Sequence, residues 1–284
     1  MPSAQDIRRR IKSVKNIGQI TKAMKMVAAA RLRRAQERAL ASTPYTEKIK
    51  EVLASVAGKT RDVSLPLLEV REVNRTGFII LSSDKGLAGA YSANVIKEAA
   101  QQIQSKKDAG LITVGRKARD YFKRRAFKID QEYTGFSEKP TYLHAVDIVK
   151  HATQAFITGQ YDEIYLVHTQ FHSPINHKPV TIKLLPVDSS EHGREADGQQ
   201  EYLFEPSASE VLAALLPQYL ETTVYNALLQ SAASELGARM TAMSSATENA
   251  TELIAKLTLH YNKVRQANIT REITEIVGGA EALK

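Results

Sequence analysis

The sequence predicts an α/β protein in which long helices from the two ends of the chain pair as an antiparallel coiled coil, with an open α/β domain between them along the chain. Two observations predict it: both ends carry apolar residues at helical spacing, and the middle alternates short apolar strands with helices. We therefore expect an N-terminal coiled-coil helix over 1–58, an α/β domain over 59–205 and a C-terminal coiled-coil helix over 206–284.

The N-terminal segment is expected to be helical because no proline occurs between Pro2 and Pro44 and apolar residues recur every three or four positions. Pro44 marks a kink or the start of a second helical piece, which ends near Gly58. The recurring apolar residues, which we expect on the inner face, are Ile7, Ile11, Val14, Ile17, Ile20, Met24 and Val27.

The C-terminal segment carries a strict heptad seam, in which steps of four and three residues alternate without a slip, as in a coiled coil. Its alanine and threonine residues allow a partner helix to come close. A helix of about 60 residues spans about 90 Å, more than the roughly 50 Å diameter of a compact globule of this length, so we expect both terminal helices to project. The seam positions are Leu229, Ala233, Leu236, Met240, Met243, Thr247, Ala250, Ile254, Leu257, Tyr261, Val264 and Asn268.

The middle of the chain alternates apolar strand-like runs with helical segments, which indicates an open, largely parallel, Rossmann-like sheet. Residues 188–200 have neither periodicity nor apolar content and are predicted to be a surface loop. The expected strands are 78–81, 111–114, 127–133, 164–167 and 180–187, and the expected helices are 90–104, 116–125 and 141–157.

Composition excludes several classes of protein. The 284 residues contain no cysteine, which removes disulfide scaffolds, thiolate metal sites and cysteine nucleophiles together. No window approaches the roughly 18 apolar residues of a membrane span. The basic N-terminus lacks an apolar signal core, so we expect no secretion signal.

The positive charge is concentrated at the N-terminus. The chain carries a formal charge of +8, while residues 1–40 hold eleven basic and two acidic residues, so the remainder sums to −1. Acidic residues are absent from 7–36, which predicts an acidic partner surface, either nucleic-acid phosphates or acidic protein loops. Because residues 1–40 contain no aromatic side chain for base stacking, a protein partner is favoured.

No motif in the sequence forms a catalytic constellation. The turn 82–89 is the one candidate phosphate site, but it matches neither glycine-rich nucleotide motif, and its glycines are explained by a tight turn. His168 and His172 lie four apart on a predicted strand, and no carboxylates at zinc-ligand spacing accompany them. We therefore predict no catalytic residue, no metal and no cofactor.

Two segments near the ends of the chain match known family motifs: residues 20–29 (ITKAMKMVAA) and residues 269–282 (ITREITEIVGGAEA). They resemble the N-terminal helix motif and the C-terminal signature of the γ subunit family of F-type ATP synthases. Further similar segments are 84–89 (DKGLAG), 202–206 (YLFEP), 238–243 (ARMTAM) and 261–267 (YNKVRQA). The resemblance covers essentially the whole chain, although Ala88 and Phe204 stand where the family often has cysteine and tyrosine.

The resemblance implies a non-catalytic central rotor shaft. It would couple proton-driven rotation of a membrane ring to ATP synthesis, or ATP hydrolysis in reverse, in a hexamer of α and β subunits that hold the nucleotides. The implied partners are the α and β subunits, the ε subunit and the c-subunit ring, with no nucleic acid and no cofactor. The implied location is peripheral, on the cytoplasmic face of a bacterial cell membrane.

The resemblance also implies interface residues by their positions in the matching motifs. One group would meet acidic loops of the β subunits or brace the neck of the shaft: Met24, Lys25, Arg239, Arg265 and Gln266. Thr270, Glu272 and Glu275 would lie near the upper end of the shaft, where contacts to the hexamer are expected. Tyr202 and Glu205 would face the ring and ε.

Two alternatives compete with the rotor interpretation. The first is a nucleic-acid-binding protein that presents a basic coiled-coil arm, for which salt-sensitive RNA retention is expected. The second is a nucleotide-binding α/β enzyme with a helical dimerisation rod, for which the isolated chain would bind ATP or NAD.

Overall fold

The secondary structure follows the predicted order of elements. A computed structural model describes residues 3–59, 65–187, 205 and 207–282; the predicted loop 188–200 and Tyr202 lie outside these residues. The helices and strands in chain order are α1 (Ala4–Lys59), β1 (Thr76–Leu81), α2 (Tyr91–Gln104), β2 (Ala109–Val114), α3 (Arg116–Arg124), β3 (Ile129–Tyr133), α4 (Tyr142–Ile157), β4 (Glu163–Phe171), β5 (His177–Leu185) and α5 (Ala208–Ala282).

The five strands form one sheet in the order β3-β2-β1-β4-β5. Strands β1 to β4 are parallel to their neighbours, and β5 returns antiparallel to β4 as a hairpin. Each expected strand overlaps an observed one, so the predicted open and largely parallel sheet is confirmed. A parallel sheet of this kind buries both faces, which explains why β1 is buried along its whole length and apolar from Phe78 to Leu81.

Alternate residues of β1 pack into two separate hydrophobic cores, one on each face of the sheet. Phe78 and Ile80 pack with α2 and α3 on one face of the sheet. Ile79 and Leu81 pack on the other face with α4, the last turns of α1 and the first part of α5. Side chains that alternate along a strand thus place the sheet between two helical layers.

The chain divides into two compact units. One unit consists of residues 29–239 and contains the whole sheet; the other consists of 1–28 together with 240–284. The second unit is a helix pair formed by the first part of α1 and the last part of α5.

Burial along α5 confirms the heptad seam in the helix pair. From Thr251 to Ala280, every residue is exposed except Ile254, Leu257, Tyr261 and Val264, which lie at alternating steps of three and four. Met243 and Ala250 are buried at the preceding seam positions, whereas Asn268, the last predicted position, is exposed.

The inner face of α1 differs from the expected one. Ile17, Ile20 and Val27, expected inside, are each more than half exposed, and Gly18, Thr21 and Ala28 take their places. The reason is spacing: the inward positions Ile7, Val14, Thr21 and Ala28 recur every seven residues, and the three exposed residues do not lie at this spacing.

Small residues bring the two helices of the pair close together. A Cβ atom added at Gly18 would lie 3.4 Å from the Cβ of Ala250, in van der Waals contact. One turn along, the hydroxyls of Thr21 and Thr247 share a hydrogen bond of 2.8 Å across the seam. A polar pair within an apolar seam favours one register, because any shift would leave both hydroxyls without that partner.

Helix α1 continues through Pro44, so the expected fresh start at this residue is wrong. Proline removes one intrahelical donor, which the helix tolerates here because Pro44 is exposed and the freed carbonyl can reach water. The hydroxyl of Thr46 also donates to the carbonyl of Ser42 at 3.0 Å, a local bond that supports the turn.

The close approach at Gly18 gives a stability prediction. Gly18→Leu should lower the free energy of unfolding by about 2 kcal/mol, because overpacking outweighs the roughly 1 kcal/mol gain in helix propensity. Chemical denaturation followed by circular dichroism measures this difference.

Gly278→Leu is the matched control, because nothing lies within 4 Å of a Cβ at this helical position. It should gain helix propensity without a clash and leave stability equal or higher. Equal stabilisation by both substitutions would contradict the close packing at Gly18.

Candidate functional site

The exposed face of α1 in the helix pair is strongly basic. Arg9 pairs with Asp6 at 2.9 Å. The other basic residues of this stretch form no ion pair with the residues that the structure describes, and all are exposed: Arg8, Arg10, Lys12, Lys15, Lys22 and Lys25. We call these six residues the basic track. Unpaired cations on one helix form a surface that attracts an acidic partner.

Predicted interface residues in the helix pair are mostly exposed. Met24 is half-buried, and the Lys25 ammonium donates to the Ser244 hydroxyl at 2.9 Å. Glu275 pairs with Arg271 at 3.5 Å on the surface of α5. The remaining exposed members are Arg265, Gln266, Thr270 and Glu272. Their contacts with partners stay predictions.

The other predicted interface residues lie elsewhere. Glu205 is exposed, and Tyr202 lies outside the described residues. Arg239 is buried in the sheet-containing unit, where its guanidinium donates to Glu235 at 2.7 Å, to Glu138 at 3.2 Å and to the Gly86 carbonyl at 3.2 Å. Three intramolecular acceptors thus hold this predicted interface cation.

Two carboxylates and three cations form a charged cluster around Arg239. Glu138 also pairs with Arg31 and, at 3.3 Å, with Lys85. Burial raises the pKa of Glu235, and the guanidinium of Arg239 opposes that rise. We call these five residues the Glu138 cluster: Arg31, Lys85, Glu138, Glu235 and Arg239.

The Asp84 carboxylate of the candidate phosphate turn accepts bonds from backbone amides of α3 and of the loop after β3. The Asp84 carboxylate accepts from the backbone amides of Gly135 at 2.8 Å, Ser137 at 3.1 Å and Arg116 at 3.2 Å. The next two amides of α3, those of residues 117 and 118, donate to the Ser83 carbonyl and the Ser82 hydroxyl. A helix N-terminus that would otherwise attract an anion is therefore satisfied internally.

The two histidines near the end of β4 lie in different environments. His168 is buried, whereas His172 is exposed. Burial lowers the pKa of His168 to about 4. Among the described residues no group of three or more histidine, aspartate or glutamate side chains could hold a metal ion, and no helix is long and apolar enough to cross a membrane.

Comparison with known proteins identifies the family. The family model described as ATP synthase matches residues 3–283. The ATP synthase gamma chain of Desulforamulus reducens is 50% identical over 284 residues, and that of Pelotomaculum thermopropionicum is 49% identical over 285, each match covering 100% of both chains. The chain belongs to the ATP synthase gamma-chain family.

Solved structures agree with this membership. A chain of the Tetrahymena thermophila mitochondrial ATP synthase, from its central stalk and c-ring, aligns with a TM-score of 0.62 and 26% identity, covering 80% of this chain and 99% of its own. A chain of the Euglena gracilis mitochondrial ATP synthase rotor aligns at 0.66 with 19% identity, covering 94% and 98%, which supports the fold alone.

Membership makes the chain a central-stalk subunit that serves ATP synthesis. The resemblance found in the sequence motifs is thereby confirmed. The matches give no support to a nucleic-acid-binding protein with a basic arm.

Sequence reasoning missed most of the Glu138 cluster of this gamma chain. Glu235 and Arg239 lie four apart on a helix, a spacing that could have indicated their pairing. Glu138 had no such signal, because its partners Arg31 and Arg239 are 107 and 101 residues away in the sequence.

The three amide bonds to the Asp84 carboxylate predict that Asp84→Asn destabilises the gamma chain. The amide side chain keeps the shape but loses the charge that three backbone donors face, so the free energy of unfolding should fall by about 1–3 kcal/mol. Urea denaturation of the isolated chain tests it.

Asp120→Asn is the matched control, because Asp120 makes a part-exposed ion pair with its neighbour Arg119 at 2.8 Å. Such a pair contributes about 0–1 kcal/mol. Equal losses in both variants would show that Asp84 has no special role.

Burial of His168 predicts a pH-dependent stability. Because its pKa is lowered from 6.5 to about 4, the unfolded chain binds this proton more readily than the folded chain. The contribution of neutral His168 to the free energy of unfolding is complete above pH 6.5 and is lost as pH falls toward 4. The total loss at pH 4 is about 3 kcal/mol.

Denaturation of wild type and His168→Gln between pH 7 and 4 measures this contribution as the difference between the two pH profiles. His172→Gln, which changes an exposed histidine, should keep the wild-type profile. A His168→Gln profile parallel to wild type would refute the assignment.

Proposed function

We propose that this gamma chain is the central rotor shaft of a bacterial F-type ATP synthase. It couples proton-driven rotation of a membrane c-ring to ATP synthesis in a hexamer of α and β subunits, and runs in reverse during ATP hydrolysis. One observation carries the proposal: the two ends of the chain form a helix pair with a heptad seam, and the chain matches gamma chains over their full length. The match to a chain from the central stalk and c-ring of the Tetrahymena thermophila synthase supports it.

The division of labour along the chain follows from the same elements. Segments 1–58 and 206–284 supply the shaft, and 59–205 forms a foot that binds ε and the c-ring. Tyr202 and Glu205 would contribute to this foot contact. The boundary placements rest on the helix limits Lys59 and Ala208.

The chain itself is non-catalytic in this proposal, and the nucleotides bind to the partner subunits. Supporting this, the first three amides of α3 donate to the Asp84 carboxylate, the Ser83 carbonyl and the Ser82 hydroxyl of the candidate phosphate turn. The subunit would be held peripherally at the cytoplasmic face of the membrane through its complex.

The basic track suits acidic loops on the β subunits. A rotating shaft meets each β subunit in turn, so a stripe of unpaired cations gives attraction without a fixed partner. Met24, Lys25, Arg265 and Gln266 would meet these loops, while Thr270, Glu272 and Glu275 would contact the hexamer farther along α5. For Arg239, bracing the shaft fits its three internal bonds.

Reconstitution tests the function directly. The chain is combined with the α and β subunits of the Desulforamulus reducens synthase, whose gamma chain is 50% identical. We expect co-elution as one complex and ATP-driven rotation of a bead attached to the gamma chain. Failure to assemble or to rotate would overturn the proposal.

Charge reversal of the basic track tests its role. The triple variant Lys12→Glu, Lys15→Glu and Lys22→Glu should slow association with α and β subunits by about tenfold at low ionic strength. The difference should shrink at high salt because exposed charges are screened.

A triple reversal at Lys97, Lys107 and Lys123 gives the same change in net charge on exposed positions of the sheet-containing unit. It should assemble with the hexamer at nearly the wild-type rate. Equal slowing by both triples would mean that net charge, rather than the basic track, governs association.

A further inference from the structure

The Glu138 cluster connects both terminal helices to loops of the sheet within the unit 29–239. Arg31 belongs to α1, Glu235 and Arg239 belong to α5, and Lys85 follows β1. Glu138 lies between β3 and α4 and accepts from all three cations. One carboxylate from a sheet loop therefore contacts each long helix.

The centre of the cluster is buried. The side chains of Arg239, Glu138 and Glu235 are 7%, 11% and 1% exposed, whereas those of Arg31 and Lys85 are 40% and 61% exposed. Arg239 bridges the two carboxylates and also donates to the Gly86 carbonyl. These charge-assisted bonds are directional, and loss of Arg239 would leave the buried Glu235 carboxylate without its ion-pair partner.

The loop that carries Glu138 is itself held in place. Asp84 accepts from the amides of Gly135 and Ser137, and the Ser137 hydroxyl accepts from the Asp84 amide at 3.0 Å. Phe136 stacks on His144 of α4 with ring centroids 3.9 Å apart. Glu138 is therefore fixed to the sheet and not to a loose surface loop.

We propose that Glu138 is a positioning residue of the rotor, which locks α1 and α5 to the sheet through Arg31 and Arg239 and so transmits torque between helices and foot. The proposal rests on the function proposed above. Arg31 is the third residue of the unit and Arg239 its last, and both helices continue beyond these residues into the helix pair. A twisting load carried by either helix thus enters the unit at this cluster.

The apolar core also holds the helices. Turning α5 about its axis by a large angle would draw Leu216, Leu220 and Val224 out of that core, so apolar burial opposes such a rotation. Small rotations change the buried area little, but they stretch the directional ionic bonds from a fixed carboxylate. We therefore expect Glu138 to add stiffness against small rotations.

A single-molecule measurement tests the proposal. The chain contains no cysteine, so Lys97→Cys on exposed α2 gives one unique attachment point for a bead. In the complex with immobilised α and β subunits, angular fluctuations of the bead during catalytic pauses report the stiffness. Glu138→Gln should lower it about twofold or more, since loss of one partner frees the cations it held. The rate of ATP hydrolysis in the absence of load should stay near wild type.

Two further variants keep the test decisive. Glu138→Asp, which keeps the charge, should retain more stiffness than Glu138→Gln. Arg31→Gln changes a part-exposed member of the cluster, and Arg33→Gln on the same helix removes an exposed pair with Glu37 as its control. We expect Arg31→Gln to soften the rotor and Arg33→Gln to leave it unchanged.

Each outcome separates the two proposals. A folded Glu138→Gln or Arg31→Gln variant with wild-type stiffness would overturn the torque role of the cluster. If Glu138→Gln does not fold, Arg31→Gln decides by the same measurement. A wild-type complex that hydrolyses ATP without rotating the bead would instead overturn the rotor function on which the inference rests.

Discussion

The helix pair depends on how closely its two helices can approach. Gly18 and Ala28 on α1, and Ala250 on α5, occupy inner positions that larger side chains would wedge apart. Because these small residues take the seam, Ile17, Ile20 and Val27 are turned outward beside the basic track. The same constraint that makes the pair thin therefore sets the surface that a partner meets.

Open parallel sheets commonly bind ligands, but in the sheet-containing unit the corresponding loops are bonded to one another by protein side chains. At the carboxyl ends of β1 and β2, where such sheets commonly bind phosphates, the Asp84 carboxylate takes up three backbone amides. The neighbouring Glu138 then receives cations from three different elements. Bonds from these two carboxylates therefore hold the loops together.

Local patterns in the sequence predicted the fold well. Apolar runs located β1, β2 and β4, because a buried parallel strand needs such a run, and heptad spacing located the seam through Val264. The prediction of the inner face of α1 was wrong, because the spacing of apolar residues does not take side-chain size into account. Ile17 and Ile20 fit the helical period, yet Gly18 and Thr21 allow the closer approach.

The candidate site could be predicted only in part. Motif resemblance and charge counting found the basic track, since both are local properties of α1. The place of Glu138 in its cluster stayed hidden because its bonds to Arg31 and Arg239 join residues that are 107 and 101 positions apart along the chain. Only the folded sheet brings the loop after β3 to both helices.

The energy of an ion pair decides whether its cation can exchange one partner for another. An exposed ion pair contributes about 0–1 kcal/mol, so residues such as Lys12 and Lys22 can exchange one acidic loop for another at little cost. Removing a partner from a buried pair costs about 3–5 kcal/mol, which holds Arg239 to Glu235 and Glu138. The proposed rotor uses both kinds of charge: exposed cations that change partners at each step, and buried cations that keep the same partners. In this proposal the basic track has the first task and the Glu138 cluster the second.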